Sequence, residues 1–258
     1  MLNQAEISHY HENGYVIPEF SLDSETITTI KKIHNDFVHD HPEFMDYCPA
    51  ILPWVPQFVN IARNPRILKM VSQLIGDDIA LWNSSFFAKP PHVGSKTPWH
   101  QDGKYWAMRP LATCTVWIAI DDATMENGCL QVVSGSHKDQ RIKHHELNTQ
   151  KNLALNLELS ATEIDHSRIN HLELSAGQIS LHDVYLVHGS EANTSPNPRR
   201  GMTLRFMPTT SHFDREIERQ LFDGKEEKNN AFKPLPIYLM RGVDRCGRNH
   251  FAGDFSGD

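Results

Sequence analysis

A double-stranded β-helix, a jelly roll of mainly antiparallel strands with flanking helices packed outside one sheet, is the fold this sequence predicts. Three observations predict it. From about Ile79 the chain breaks into short runs rich in aromatic and β-branched residues, separated by Pro, Gly, Asn and Asp, the pattern of an antiparallel sandwich or barrel. Helical periodicity is concentrated before Gly76. Two histidines far apart in the chain, His100 and His188, stand in matching strand-like contexts, and a jelly roll brings such distant strands together.

Residues 3–13 and 22–39 read as helices. Ser21 or Asp23 suits the N-cap of the second, where Ile27, Ile30, Ile33 and Phe37 recur at helical spacing. A third helix runs from about Pro65 to Ile75 and stops at Gly76. His41 to Val59 holds four prolines with Phe44, Tyr47, Trp54 and Phe58, which predicts an irregular segment laid over a pocket. Strands are predicted at 79–89, 97–102, 112–120, 129–133, 168–174, 178–182, 185–189 and 201–207. Ser136 to His166 reads as a long insertion, Asp214 to Lys228 as a charged helix or loop, and Pro234 to Gly242 as an ordered return of the chain over the site mouth. The expected organisation is one domain over 1–258: a helical part to about 76, a jelly-roll core over about 79–210 and a C-terminal extension over 211–258. No internal repeat or low-complexity tract interrupts it.

With 39% hydrophobic and 22% charged residues the composition is that of an ordinary soluble protein. A formal charge of -7 without a block of Lys or Arg argues against nucleic acid or an anionic membrane as partner. Cys48, Cys114, Cys129 and Cys246 are scattered, without CxxC spacing, so a reducing cytoplasm is expected rather than a disulfide scaffold. Met1 to Glu6 lacks the basic start and apolar run of a signal peptide, and no stretch approaches the roughly 18 apolar residues of a membrane span.

The chemistry concentrates at His100-Gln101-Asp102, within PWHQDG. Residues i and i+2 of a strand point to one face, so His100 and Asp102 can reach one metal. His188 would complete the facial triad of two histidines and a carboxylate that binds Fe(II) and leaves positions open. The bland alternative is a polar pair on a strand, since the chain has 16 histidines. Arg199 follows His188 by eleven residues, where a guanidinium can take the second carboxylate of 2-oxoglutarate through charge-assisted hydrogen bonds. Arg200 competes for that role, with Lys89 behind it. Two histidines and a carboxylate also suit zinc or manganese in a cupin-like hydrolase or isomerase, which leaves Arg199 unexplained; a jelly-roll binding module without turnover is the non-enzymatic reading.

HQDG, the stretch WIAIDDATMENGCLQVVSGSHK and HGSEANTSPNPRRGMTLRF together resemble the phytanoyl-CoA dioxygenase family of Fe(II)/2-oxoglutarate-dependent oxygenases, over roughly residues 8–210. The resemblance implies that His100, Asp102 and His188 bind Fe(II), and that Arg199, helped by Ser190, pairs with the distal carboxylate of 2-oxoglutarate. It also implies that Trp117 lies beside the cosubstrate, that Gln101 lies against it between the two ligands, and that Ser85 lines its pocket. O₂ is the other cosubstrate, with succinate and CO₂ released. A carboxylate at 102 favours hydroxylation over halogenation, because similar halogenases carry a small residue there. The family name suggests an acyl-CoA, yet no basic cluster suits the phosphates of CoA, so a small-molecule metabolite is expected.

Several residues carry weaker expectations. Tyr105 and Trp106 are candidates for an aromatic substrate wall, whereas Trp99 and Trp54 read as core. Arg205 alternates with Thr203 and Met207 and is expected to face inward, toward a substrate carboxylate or a buried Asp. His182 reads as a core or strand-end histidine near the site. His92, His137, His144, His145, His166 and His171 are expected to be solvated.

Overall fold

The computed structural model describes residues 1–150, 153–222 and 235–253. Its helices start and stop where the chain offers caps. In α1 (Gln4–Asn13) the Asn3 side chain accepts from the Glu6 N–H while the Glu6 carboxylate accepts from the Asn3 N–H, a reciprocal capping box. Gly14, at φ 84°, ends it. Asp23 caps α2 (Ser24–Asp40), and Asn64 with Pro65 at the first helical position opens α4 (Pro65–Ile75). The predicted irregular stretch holds two 3₁₀ turns (Pro42–Phe44, Pro56–Phe58), the short strand β2 (Tyr47–Cys48) and α3 (Val59–Ala62).

Two antiparallel sheets face each other. The larger has the order β1 (Tyr15–Val16), β11 (Ile179–Asp183), β6 (Cys114–Ala119), β13 (Arg199–Pro208), β3 (Ile79–Lys89) and β15 (Tyr238–Arg241), with β2 also paired to β3. The smaller has the order β10 (Ile169–Leu172), β7 (Leu130–Val133), β12 (His188–Ser190) and β4 (Thr97–His100). Two further pairs lie outside: β5 (Met108–Arg109) with β14 (His212–Phe213), and β8 (His145–Leu147) with β9 (Leu157–Leu159). This is the predicted jelly roll.

Period-two alternation divides the chemistry of the larger sheet. On β13, Met202, Leu204 and Phe206 join the apolar core with Val116 and Ile118 of β6, Ile179 and Leu181 of β11, and Ile27, Ile30, Ile67 and Val71 of the helices. The alternate residues turn into the sandwich: Arg199, Thr203 and Arg205 from β13, Thr115 and Trp117 from β6, and His182 from β11 all line one cleft. Burying one face against helices leaves the other free to carry polar groups inside the fold.

The structure corrects several predicted elements. The strand expected over 97–102 ends at His100, and Asp102 opens a 3₁₀ turn, Asp102–Tyr105. The strand expected at 185–189 is observed as His188–Ser190, after a turn that brings the Leu186 N–H to the Asp183 carbonyl. The N-terminal part is not only helical, since β1 pairs with β11 at the edge of the larger sheet. The insertion after Ser136 contains the β8–β9 pair. Of the charged segment 214–228, Arg215–Phe222 is a helix, α5, and 223–228 lie outside the described residues. Within the predicted chain return, Tyr238–Arg241 extends the larger sheet as β15, and Pro234 lies outside the described residues. Among the described residues no helix is long and apolar enough to cross a membrane.

Candidate metal centre

β4 and β12 are adjacent in the smaller sheet with His188 opposite His100, so register alone brings the two imidazoles together, with ring centroids 4.2 Å apart. Gln101 continues the extended backbone (φ −117°, ψ 128°), which returns Asp102 to the face of His100. One ligand atom from each of His100, Asp102 and His188 lies within 4.8 Å of the others. Asp102 Oδ1 is 3.6 Å from His100 Nε2 and 3.8 Å from His188 Nε2. These spacings are somewhat wider than the about 3 Å between ligands at right angles on a metal about 2.1 Å away, so modest contraction would bring them to bonding geometry.

The protonation pattern fits a metal. Nδ1 of His100 is 2.8 Å from the Pro98 carbonyl and Nδ1 of His188 is 2.9 Å from the Leu186 carbonyl. A carbonyl only accepts, so each proton sits on Nδ1 and each Nε2 lone pair faces the centre. Burial, followed by the neighbouring His100, holds the His188 imidazole well below its ordinary range and therefore neutral. Burial pushes the Asp102 carboxyl up, but His188, His100, His182 and Arg205 outweigh it and hold the group well below its ordinary range. Imidazoles that present Nε2 to the centre, together with an ionised carboxylate, are the donor forms that bind a divalent cation.

His182 contributes more than its sequence context indicated. It is buried, its Nε2 is 3.7 Å from Asp102 Oδ2 and its ring is 4.9 Å from that of His188. Thr115 donates to the same Oδ2 at 3.5 Å. One carboxylate oxygen thus faces the imidazole pair while the other is held by the larger sheet. A strand-pairing row explains it, because β11 sets His182 opposite Thr115 and β13 sets Arg205 opposite Thr115.

A narrow cleft runs from the triad to Arg199, lined also by Trp117, Ser190 and Thr203. Arg199 donates from Nε and Nη2 to the Gly128 carbonyl (3.0 and 2.8 Å), from Nη1 to the Phe87 carbonyl (3.0 Å) and from Nη2 to Ser190 Oγ (3.3 Å). Among the described residues no carboxylate makes a salt bridge with it, and burial pushes its pKa down to about 10. The Trp117 ring lies 5.7 Å from this guanidinium. Its indole packs closely against Gly201, where an added Cβ would fall 2.2 Å from the ring. Arg200, on the opposite face, is spent on Asp121 at 2.7 and 2.9 Å. Burial pushes the Lys89 amine down to about 6; it donates to the Ser95 and Glu191 carbonyls and does not line the cleft.

Two sequence-derived cosubstrate residues are placed differently. Gln101 turns away from the triad, as alternation between two same-face ligands requires. Its amide donates to the Arg141 and Tyr185 carbonyls (3.0 and 2.7 Å), and its carbonyl accepts from the Lys143 N–H (2.7 Å), so it fastens the post-Ser136 insertion to the ligand strand. Ser85 is buried behind the cleft, where its hydroxyl donates to the Pro49 carbonyl (2.7 Å) and accepts from Arg205. Two histidines expected in solvent are buried: His145 accepts from the Gln101 N–H at 3.1 Å, and His137 lies 3.1 Å from the His11 carbonyl. His92, His144, His166 and His171 are exposed as expected.

Beyond the triad the cleft meets a hollow of about 620 Å³. Asp102, Phe87 and Arg205 border both. Tyr105 and Trp106 line it as expected, joined by Trp82, which the sequence analysis did not single out. Tyr47 and Pro49 from the Pro-rich stretch and Leu153 to Leu157 from the insertion form much of its cover. Trp99 and Trp54 are packing residues, among Val133 and Val187 and among Phe37 and Phe44 respectively.

The sequence pattern of the family described as phytanoyl-CoA dioxygenase (PhyH) matches residues 10–201. A phytanoyl-CoA dioxygenase domain-containing protein 1 homolog from Caenorhabditis elegans is 31% identical over 157 residues, 59% of this chain and 54% of the relative. The peroxisomal phytanoyl-CoA dioxygenase of Bos taurus is 28% identical over 195 residues, 69% and 57% of the two chains. The chain therefore spans somewhat more than half the length of these relatives. Among solved structures, the non-heme monooxygenase ThoJ in its apo form superposes with a TM-score of 0.71 at 22% identity, covering 92% of this chain and 84% of that one. EctD from S. alaskensis, solved with 2-oxoglutarate and 5-hydroxyectoine, gives 0.66 at 21% identity, covering 81% and 77%. These likenesses establish the shared fold, and the extent of the family match establishes more: the chain belongs to the phytanoyl-CoA dioxygenase family.

Proposed function

We propose that this protein is an Fe(II)- and 2-oxoglutarate-dependent dioxygenase that hydroxylates a C–H bond of a small molecule. The observation that carries the reading is the pairing of two features in one cleft. Two imidazoles, each with its proton committed to a backbone carbonyl, converge with Asp102, and a buried guanidinium that no carboxylate among the described residues pairs with stands at the far end. A metal-dependent hydrolase needs only the first of these.

In this reading His100, Asp102 and His188 hold the metal on one side, and Arg199 with Ser190 and Trp117 receives the distal carboxylate of 2-oxoglutarate. When bound, the metal and its keto acid supply the oxidation, consuming O₂ and releasing succinate and CO₂. The chain's own residues position and shield. Thr115 and His182 steady the second oxygen of Asp102, Gly201 leaves room for Trp117 beside Arg199, and the insertion and Pro-rich stretch cover the neighbouring hollow. Asp102 occupies the position that would otherwise be open to halide, which favours hydroxylation. The reading is supported by a fold shared with a protein solved with 2-oxoglutarate and 5-hydroxyectoine.

Anaerobic addition of Fe(II) and then 2-oxoglutarate tests it. A visible metal-to-ligand absorption band should appear with both present, and admission of O₂ with a substrate should release succinate. Absence of the band in protein that has bound Fe(II) would return the site to the hydrolase or binding-module readings.

A further inference from the structure

Arg205 stands where the narrow cleft meets the larger hollow, buried on the inner face of β13. Nη1 donates to Ser85 Oγ, whose hydroxyl is itself fixed on the Pro49 carbonyl. The guanidinium carbon lies 5.1 Å from the centre of the Trp106 ring. Nε has no partner. Among the described residues no carboxylate makes a salt bridge with Arg205: Asp102 is turned to the imidazoles and Thr115, and Glu218 is bonded to Arg215 at 2.8 Å.

A guanidinium that is buried, rigidly backed and offset only by the nearby charge of Asp102, with which it forms no ion pair, is costly. That cost falls when an anion enters. The surrounding wall is largely hydrocarbon, including Trp82, Trp106, Leu157 and Phe213, and its charged lining residues are Asp102, Lys104, Glu218 and Arg205, of which Arg205 and Asp102 also border the narrow cleft. Arg199 cannot serve the same ligand, because six residues of strand separate the two arginines by about 20 Å. Two acids can therefore be held at once, one at each arginine.

We propose that Arg205 anchors the carboxylate, or an acid group of like charge, of the organic substrate, whose hydrocarbon body lies against Trp82 and Trp106. This rests on reading the triad as the oxidation centre and adds the substrate class: a small organic acid rather than a neutral molecule. An arginine serving only to steady Asp102 would not distinguish an acid from its amide.

The test reads binding to chelator-treated protein, so it does not depend on iron, cosubstrate or turnover. Calorimetric titration compares a graded series of aryl- and alkyl-carboxylates, from propionate to naphthylacetate, each beside its primary amide. With wild type and with Arg199→Gln, the best acids should bind about tenfold or more tighter than their amides, the scale of a charge-assisted pair. Arg205→Gln should remove the preference and Arg205→Lys should retain part of it. The proposal falls if no acid exceeds its amide in wild type, if the preference survives in Arg205→Gln, or if it vanishes in Arg199→Gln. Should Arg205→Gln fail to fold, the wild-type, Arg199→Gln and Arg205→Lys arms decide. Loss of the anaerobic absorption band would refute the oxygenase reading independently of this result.

Discussion

Replacing Arg199 by Gln isolates the electrostatic side of the proposed cosubstrate site, because Gln keeps a donor within reach of the Gly128 carbonyl but removes the charge. The structure sets the magnitude. Burial lowers the Arg199 pKa from its ordinary 12.5 to about 10, which corresponds to about 3 kcal/mol of destabilisation of the buried cation. A carboxylate entering the cleft relieves much of that penalty, and a charge-assisted hydrogen bond of about 1.5–3 kcal/mol is of the same size. The expected loss on Arg199→Gln is therefore about 3 kcal/mol, or roughly a hundredfold in 2-oxoglutarate affinity. Fe(II) affinity should change little, since the triad does not include this residue. The assay is anaerobic titration of the Fe(II)-loaded protein with 2-oxoglutarate, followed by the visible absorption band, with urea denaturation to establish that the variant is folded. An unchanged midpoint in a folded variant would refute the assignment and redirect the search to Lys89 or Arg205.

Other expectations concern metal, packing and pH. His188→Ala should abolish Fe(II) binding measured by equilibrium dialysis, whereas His182→Ala should weaken it only about tenfold, the scale of a group acting through a ligand; equal losses would place His182 among the ligands. Asp102→Gly should eliminate substrate hydroxylation, and retained product formation would remove Asp102 from the reaction. In Gly201→Ala the new methyl would lie 2.2–2.7 Å from Trp117 ring atoms, so urea denaturation should report a loss of about 1–3 kcal/mol together with weaker 2-oxoglutarate binding; unaltered stability and affinity would mean that Trp117 has room to move. His34 is buried over Phe86 with neither ring nitrogen partnered, and burial lowers its pKa to about 4. The folded state then binds fewer protons than the unfolded one, so stability is full above the ordinary 6.5 and falls as pH drops toward 4. Between pH 7.5 and 5.5 this removes about 1.3 kcal/mol, and His34→Leu should flatten the pH dependence by that amount in parallel denaturation series.

The residue spacing of HQDG and the distant His188 carried much of the metal centre, because a facial triad needs two ligands on one strand face and a third from elsewhere. The cap at Asp23, the stop at Gly76 and the β-rich pattern after Ile79 made the fold legible for the same reason: they are local, and local chemistry can be read in order along the chain. Alternation also held information that went unused. It turns Gln101 away from the cleft in which it was expected to lie against the cosubstrate, and it sends Arg199 inward and Arg200 outward to Asp121.

What the linear chain determined by itself was the identity and spacing of the ligating groups and the class of fold able to unite them. Only the tertiary structure decided which neighbours face them. The row that sets His182 and Arg205 beside Thr115 depends on the pairing of β11, β6 and β13, strands separated by tens of residues. The exclusion of Ser85 from the cleft depends on Pro49 and Arg205 meeting its hydroxyl first. Burial of His145 depends on the insertion folding back onto Gln101. Such contacts join groups with no sequence relation to each other, so no local periodicity records them.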